Sequence, residues 1–577
     1  MDYHHGQLSP ATGVHNIQVL RANREFPAYA EDFGWTYNHA PMLAYWNGKF
    51  YLQYLSNPVG EHIAPGQTLI TSSTDGYRWD KPVPVFPPYK IPDGTTKEGH
   101  EGSAKNLFAV MHQRMGFYVS DSDRLLTFGY YGICLDPKDS PNDGKGIGRV
   151  VREIYRDGSF GPVYFIRYNK GWNKDNTDYP TYTESDDPGF VSACEEVLQN
   201  PLLLQQWNEE SDRDDPLIPL NEEYKAFSYY HLPDGRVVGL WKHALTAMSL
   251  DEGKSWTRPV RAPGFVNSNA KIWGQQTSDG RFVTVYNPSD FRWPLALSVS
   301  DDGLEYKNLL LVNGEITTMR YGGNYKSYGP QYVRGILEGN GEPPDGNIWV
   351  TYSMNKEDIW VSSIPVPVTE QLTEKVIEIF DEMEPGKELN YWNIYSPVWA
   401  RVMMGSHIDG SRALVLTDKD LFDYAKAERK FPLTDAVAIE FSLTTGQNDK
   451  GLLHIELQNS KGTPALRIIL DSDGYMKFKS GYRFRNIMSY KPDEEYKIRI
   501  EAWTGNRFYN VYVNDEKRVS GLFFAPVHFL DKITFRTGEI RRFPDPDTPT
   551  DQDFDVIQDG SPTEEARYYI KYLKTGD

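Results

Sequence analysis

A short motif that recurs along the chain limits the possible folds more than any other feature. Residues 249–260 read SLDEGKSWTRPV, and looser copies occur at residues 72–79 (SSTDGYRW) and 299–306 (VSDDGLEY). The copies follow predicted strands and hairpins that turn at Asn-Gly or Asp-Gly pairs, as in MLAYWNGKFYLQYL and AFSYYHLPDGRVVGLW. Five such four-stranded units fit between residues 37 and 368. Radial repetition of four-stranded sheets predicts a five-bladed β-propeller.

The two ends of the chain complete this prediction. The last unit supplies three strands, and the pattern VHNIQVL at residues 14–20 is placed to close the ring as the missing edge. The C-terminal part carries long alternating strands, among them AVAIEFSLTT, LLHIELQN and YKIRIEAW, which is typical of an antiparallel β-sandwich. We therefore predict an all-β protein with a catalytic propeller over residues 1–370 and a β-sandwich over residues 371–577.

Composition excludes several classes of partner. The 577 residues carry a formal net charge of -19, which repels nucleic acid and anionic lipid. No apolar run approaches the roughly 18 residues that cross a bilayer, and a secretory signal removed from the N-terminus would give a periplasmic or secreted protein. Cys134 and Cys194 are compatible with one disulfide or with two free thiols. His100 stands between Glu98 and Glu101 without a recognised ligand spacing, so we expect no bound metal. We also expect a monomer that uses no cofactor.

Functional residues are expected where the blades present loops to the mouth of the central channel. These loops precede each innermost strand and follow each second strand. In this acidic chain they are rich in cations and aromatic residues, and the predicted substrate-binding residues are Lys242, His243, Lys271, Arg292, Arg320, Trp293, Tyr131 and Asn324. A guanidinium binds two carboxylate oxygens at once. Arg292 and Arg320 are therefore predicted to anchor a substrate carboxylate.

Glycosidic cleavage needs a proton donor with a raised pKa and a second group that attacks or stabilises an oxocarbenium ion. Glu101 lies in a Gly-interrupted loop and is predicted to be the acid, with burial under Tyr131 or Trp293 raising its pKa. Glu222, which precedes the third inner strand, is its predicted partner. The complete predicted catalytic set is Glu101, Glu222, His39 and Tyr328.

The recurring motif also carries a family resemblance. Ser249, Asp251, Gly253, Ser255 and Trp256 match the Asp box of sialidases and related propellers, where the motif braces a turn far from the catalytic centre. The stretch YNHAPMLAYWNGKFYLQYLSNP, the Asp-box copies and the number of units resemble the large exo-glycosidases of gut Bacteroidetes. The most similar group is glycoside hydrolase family 143, whose five-bladed enzymes release the diacidic sugar Dha from the pectin rhamnogalacturonan II. The runs SLTT and DSDGYMKFK resemble a concanavalin-like or laminin-G-like sandwich.

The resemblance implies an exo-acting glycoside hydrolase that releases an ulosonic or aldulosaric acid from a complex acidic glycan. One alternative is another propeller glycosidase, such as a rhamnosidase or arabinofuranosidase, or a polysaccharide lyase, because a fold does not fix the chemistry. A lyase would use His39 or His243 as base beside Arg292. Ala40 stands where other five-bladed glycosidases carry a carboxylate base, which weakens the prediction of an arabinanase or xylosidase. The third class is a glycan-binding protein without catalysis.

Overall fold

The fold is all-β apart from short helical segments. It is given by a computed structural model that describes residues 4–111, 115–136, 138–141, 143–207, 224–289, 292–539 and 560–576. Strand β1 spans His15–Leu20, and the first blade contains β2 (Tyr37–Trp46), β3 (Lys49–Asn57), β4 (Gln67–Ser73) and β5 (Val83–Phe86). The second blade contains β6 (Val110–Met111), β7 (Phe117–Val119), β8 (Leu125–Gly132), β9 (Gly148–Ile154) and β10 (Tyr164–Tyr168).

Two helices, α1 (Pro188–Gln199) and α2 (Pro201–Trp207), follow the second blade. The third blade contains β11 (Ser228–His231), β12 (Val237–Trp241), β13 (Leu245–Ser249) and β14 (Val260–Arg261). The fourth contains β15 (Trp273–Gln276), β16 (Phe282–Tyr286), β17 (Leu295–Ser300) and β18 (Tyr306–Asn313). No helix among the described residues is long and apolar enough to cross a membrane.

The last strands of the propeller join a larger sheet. Strands β19 (Pro330–Gly335), β20 (Ile348–Met354) and β21 (Asp358–Ile364) are completed by β1, which pairs antiparallel with β21 as predicted for the closing strand. After β22 (Ile377–Ile379), β23 (Trp392–Ser396) pairs in parallel with the other edge of β1. The described residues thus form four separate blades and a fifth group inside an 11-stranded sheet, which corrects the expectation of five separate blades. The physical reason is that β23 satisfies the edge of β1 that would otherwise be unpaired.

The C-terminal strands form the two layers of a sandwich. They are β24 (Ala400–Ser406), β25 (Arg412–Asp418), β26 (Lys426–Thr434), β27 (Ala436–Thr445), β28 (Leu453–Gln458), β29 (Pro464–Leu470), β30 (Tyr475–Ser480), β31 (Arg483–Ser489), β32 (Glu495–Trp503), β33 (Phe508–Val513), β34 (Glu516–Leu522), β35 (Leu530–Thr537), β36 (Ala566–Ile570) and β37 (Tyr572–Gly576). One layer continues from β23 through β26, β35 and β28 to β31, and the other contains β24, β25, β36, β27 and β32 to β34. Alternate residues of both layers, such as Ile439, Phe441, Ile455 and Phe535, are fully buried in one core, as the period of two requires.

The Asp-box motif braces a turn of the third blade. The Ser249 hydroxyl lies 2.8 Å from Asp251 Oδ1 and accepts the Gly253 amide at 2.9 Å. Gly253 has a φ of 77°, which glycine adopts without steric cost. Trp256 packs edge-on against Trp241 with ring centroids 5.4 Å apart. The turn joins β13 to β14 at the end of the blade opposite the channel mouth, which agrees with a structural role.

Candidate functional site

A cluster of cations surrounds one phenol at the mouth end of the propeller, where the innermost strands begin and the second strands finish. The phenol is Tyr332 in β19, which is buried. Its ring centroid lies 4.7 Å from Lys242 Nζ, 4.8 Å from Lys271 Nζ and 5.0 Å from the guanidinium carbon of Arg292. Lys242 also donates a hydrogen bond of 2.9 Å to the Tyr332 hydroxyl. We call these four residues the cation cluster.

The connections between strands place each member of the cation cluster. Lys242 directly follows β12, where the backbone turns at His243 with a φ of 62°. Lys271 precedes β15, and Arg292 lies between β16 and β17, with its guanidinium 2.5 Å from Gln331 Oε1. Two neighbouring blades therefore supply the cations and the fifth group supplies the phenol. The folded ring brings them together, as predicted for loops at the channel mouth.

His39 lies against the Tyr332 ring. The two ring centroids are 4.2 Å apart, and His39 Nδ1 lies 2.7 Å from the Ser353 hydroxyl. The pairing of β2 with β3 shifts register between His39 and Met42, and Ala40 has a φ of 49°. Such a bulge re-aims side chains relative to a regular strand. The structure thus brings the predicted residues His39, Lys242, Lys271 and Arg292 to one place.

A carboxylate outside the predicted set lies beside the cation cluster. Glu61 follows β3, and its Oε2 lies 2.9 Å from Lys356 Nζ, which in turn lies 5.7 Å from the Tyr37 ring centroid. Burial and then the charge of Glu61 raise the pKa of Tyr37 well above its ordinary value, and the charge of Arg292 partly opposes them. Tyr37 is therefore a protonated phenol within electrostatic range of a carboxylate and a cation. In the sequence, only the position of Glu61 after the second strand of a blade indicated that it could belong to the site.

Arg320 occupies a different environment, inside the protein. Its outer nitrogens lie 2.8 and 2.5 Å from the two oxygens of Asp358, and one of them lies 3.2 Å from Glu357. Lys326 Nζ lies 2.9 Å from Glu357 Oε2. Burial alone would raise the pKa of Glu357, but the charges of Lys326 and Arg320 hold it below its ordinary value. We call these four residues the paired group. The guanidinium predicted to bind a substrate carboxylate binds Asp358 instead.

Three predicted aromatic residues pack in the protein interior. Tyr131 is fully buried in the second blade, where its ring stacks on Tyr89 at 4.8 Å between centroids. Its hydroxyl donates to the Pro87 carbonyl at 3.2 Å. Trp293 and Tyr328 are both buried and belong to one small apolar cluster. These contacts give each ring a packing role.

The remaining predicted residues lie in loops or outside the described part of the chain. Asn324 and His243 are exposed. The imidazole ring of His243 is nevertheless partly shielded from water, and this shielding together with the charge of Lys242 lowers its pKa. Glu101 is exposed in the loop before β6, so the burial that was predicted to raise its pKa is not found. The loop carries its side chain to the surface because the surrounding glycines and polar residues have no apolar contacts to make. Glu222 lies outside the described residues.

Atoms of the kind that bind metals gather in the second blade. His100 Nε2 lies 3.0 Å from Asp139 Oδ1, and Asp143 belongs to the same group. The ammonium of Lys97 lies 2.6 Å from Asp139 and 2.9 Å from Asp143. A buried cation of the protein itself thus already forms ion pairs with both carboxylates. The arrangement is an ion-pair network, and the absence of a catalytic metal stays a prediction.

A cavity of about 560 Å³ lies at the opposite end of the blades, where the innermost strands β11, β15 and β19 end. His231, at the end of β11, lines it and bridges two carboxylates. Its Nδ1 lies 2.5 Å from Glu338 and its Nε2 lies 2.9 Å from Glu252. The hydrogen bond to Glu338, opposed by burial, raises the pKa of His231 to about 9.

Two family models match the chain in succession. The model described as a BT_1020-like, N-terminal beta propeller matches residues 1–224, and the model described as a sialidase-like CBM domain matches residues 392–552. A solved structure titled "Sialidase" is 55% identical, covers 100% of this chain and superimposes with a TM-score of 0.96. The chain has a sialidase-like propeller and a sialidase-like CBM domain. It spans 53% of the length of that solved protein.

More distant solved structures are also similar. A mutant of Trypanosoma rangeli sialidase that displays trans-sialidase activity is 12% identical, covers 98% of this chain and 96% of its own, and has a TM-score of 0.37. A protein of unknown function from Dyadobacter fermentans is 15% identical, covers 61% of this chain and 100% of its own, and has a TM-score of 0.36. No curated protein matches the chain.

Proposed function

We propose that this chain is an exo-acting glycoside hydrolase that removes an acidic sugar from a complex polysaccharide. The observation that carries the proposal is the convergence of Lys242, Lys271 and Arg292 on Tyr332 at the channel mouth. Cations gathered in a chain of net charge -19 favour a ligand with carboxylates. An ulosonic acid brings one carboxylate to such a site and an aldulosaric acid such as Dha brings two.

Groups for proton transfer lie next to the cation cluster. His39 contacts Tyr332, and Tyr37 lies within electrostatic range of both Glu61 and Arg292. A phenol with a raised pKa holds its proton at neutral pH, and a neighbouring carboxylate accepts one. We assign proton transfer to Tyr37 and Glu61 in this proposal. Glu101, Glu222 and Tyr328 stay untested predictions.

The similarity to the structure titled "Sialidase" and to the BT_1020-like propeller supports a member of the sialidase-like superfamily. Within it, we propose family 143 activity on rhamnogalacturonan II, with Dha as the released sugar. In this proposal β19, β20, β21 and β1 act as the fifth blade of the ring, and the sandwich is concanavalin-like. The protein acts as a monomer in the periplasm or outside the cell.

A polysaccharide lyase is the second candidate. His39 lies against Tyr332, and the three cations of the cluster lie around the same ring. A base beside a cation that neutralises a uronate is the arrangement that β-elimination needs. The lyase forms a double bond in its product, whereas the hydrolase adds water.

The test is to incubate the purified chain with rhamnogalacturonan II oligosaccharides and identify the products by mass spectrometry and ultraviolet absorbance. Release of a free acidic monosaccharide, with the mass of added water and no unsaturated product, is the expected result. An unsaturated uronate would replace the hydrolase by the lyase. Binding of the oligosaccharide without any product would support a glycan-binding protein and contradict the proposed catalysis.

A further inference from the structure

A second concave surface lies on the sandwich, on the outward face of β24, β25 and β36. Their register places two rows of side chains across this face, Arg401, Thr417 and Arg567 in one row and Met403, Val415 and Tyr569 in the next. The alternate residues of the same strands, such as Leu414 and Ile570, belong to the main core. A cavity of about 280 Å³ lies over the two rows. Its size is just below the about 300–1,000 Å³ of pockets for drug-sized ligands, which suits a single sugar residue.

Arg401 is the unusual residue of this surface. Its Nε donates to the Val398 carbonyl at 3.2 Å, and no carboxylate among the described residues forms an ion pair with its guanidinium. Burial lowers its pKa to about 10, with no opposing contribution from an anion. Arg401 is half-buried, and a half-buried charge without a counter-ion costs free energy, because water solvates it less well.

Two buried arginines of the sandwich are paired. Arg429 Nε lies 2.7 Å from Glu378, and Arg467 Nε lies 2.5 Å from Glu456. The sandwich thus neutralises these cations with its own carboxylates. Arg401 has no such carboxylate partner, and its side chain lines a cavity.

The net charge of the residues that line the cavity is positive, like that of Arg401. Lys419 and Arg567 line it together with Arg401, and Glu565 is the carboxylate among the lining residues. Glu565 lies 3.1 Å from Arg567 Nε and is thereby engaged. Three cations and one carboxylate form a positive surface in a chain whose net charge is -19. Beside these cations, the exposed Met403 and the largely buried Val415 and Tyr569 add an apolar lining to the cavity.

We propose that this face is a binding site for a sugar residue that carries a carboxylate, with Arg401 as its counter-ion. The guanidinium binds the carboxylate, and the row of Met403, Val415 and Tyr569 contacts the carbon skeleton of the sugar. The site lies on the sandwich and contains no residue of the cation cluster. It would hold an acidic polysaccharide to the protein whatever reaction the propeller performs.

The experiment is isothermal titration calorimetry of the full chain with D-galacturonate, D-galactose and acetate. D-Galacturonate should bind the wild-type chain, whereas D-galactose lacks the carboxylate and acetate lacks the sugar ring. Arg401→Met should weaken D-galacturonate binding about tenfold to a hundredfold. Arg499→Met is the matched control, because Arg499 lies on the same layer and is paired with Glu501 at 2.9 Å. A chain with Lys242→Met and Lys271→Met, which weakens binding at the propeller, should keep the binding that depends on Arg401.

Thermal unfolding without ligand provides a second measurement. Arg401→Met removes a half-buried charge without a counter-ion, so the midpoint should stay the same or rise. D-Galacturonate should raise the midpoint of the wild type and of Arg499→Met more than that of Arg401→Met. Failure of D-galacturonate to bind the wild type would overturn the proposal. Equal binding by Arg401→Met, or equal affinity for D-galactose or acetate, would overturn it as well.

Discussion

Two groups of cations at the mouth end of the propeller differ in what they contact. The cation cluster places Lys242, Lys271 and Arg292 around the ring of Tyr332. The paired group places Arg320 and Lys326 on the carboxylates of Glu357 and Asp358. The sequence predicted the same role for Arg292 and Arg320, binding of a substrate carboxylate, because both lie in loops at the mouth end of the blades. The difference shows that a matched carboxylate makes a cation part of the framework, whereas three cations gathered around one ring suit a ligand that carries a carboxylate.

The largest effect is expected from breaking the paired group. Lys326→Met leaves the buried Glu357 with one cation fewer, and removal of one partner of a buried pair costs about 3–5 kcal/mol. The free energy of unfolding, measured in urea, should fall by this amount. Lys307→Met is the control, since Lys307 and Asp301 are both exposed and such a pair contributes little. Equal stability of Lys326→Met and the wild type would show that Glu357 is neutral in the folded protein.

The next largest effect is expected in the cation cluster, on the rate of the proposed reaction. Lys271→Met removes a charge from the proposed substrate site, and the loss of a charged hydrogen bond to a carboxylate is about 2–3 kcal/mol, or about 30- to 150-fold in kcat/KM. The measurement is the rate of acidic-sugar release at low substrate concentration. The thermal midpoint of each variant, compared with that of Lys307→Met, shows whether the chain remains folded. Unchanged kcat/KM on an acidic glycan in Lys271→Met and in Lys242→Met would remove the cluster from substrate binding.

A smaller effect on kcat/KM is expected from a variant that keeps the three cations of the cluster and removes one hydrogen bond between them and Tyr332. Tyr332→Phe keeps the ring that the three cations surround and removes the hydroxyl that Lys242 contacts at 2.9 Å. Because one hydrogen bond contributes about 1 kcal/mol, kcat/KM should fall about fivefold. The KM should rise and kcat should change little if Tyr332 only positions Lys242. A loss in kcat of several hundredfold would instead give the hydroxyl a direct part in the reaction.

Much of the fold follows from local patterns. Asn-Gly and Asp-Gly turns with alternating strands predicted the blades, and the pattern at residues 14–20 predicted β1 as the closing strand. The parallel pairing of β1 with β23 was not predicted, because closure of the ring requires only one partner for β1, the antiparallel β21, and no repeat in the sequence marks β23 as a second partner.

Part of the candidate site could be predicted from the positions of residues relative to the strands. His39, Lys242, Lys271 and Arg292 were found from their places before inner strands or after second strands. Glu61 occupies such a place too, but its importance depends on Lys356 and Tyr37, which other parts of the chain supply. Arg320 could not be separated from Arg292, since Asp358 becomes its partner only through the fold.

His231 extends the comparison to a paired cation that is partly exposed. It bridges Glu252 and Glu338 at the opposite end of the blades, and its pKa is raised from 6.5 to about 9. A folded pKa above the unfolded value means that the stabilisation is complete below about pH 6.5 and is lost as the pH rises through about 9. Since the side chain is 34% exposed, we expect only about 1 kcal/mol after solvent screening. His231→Gln should therefore be slightly less stable than the wild type in mild acid and equally stable well above the folded pKa, as measured by urea unfolding across this range. A difference that stays constant across the range would show that His231 contributes through an uncharged contact, and the distinction between buried and exposed pairs would then rest on Lys326 and Lys307 alone.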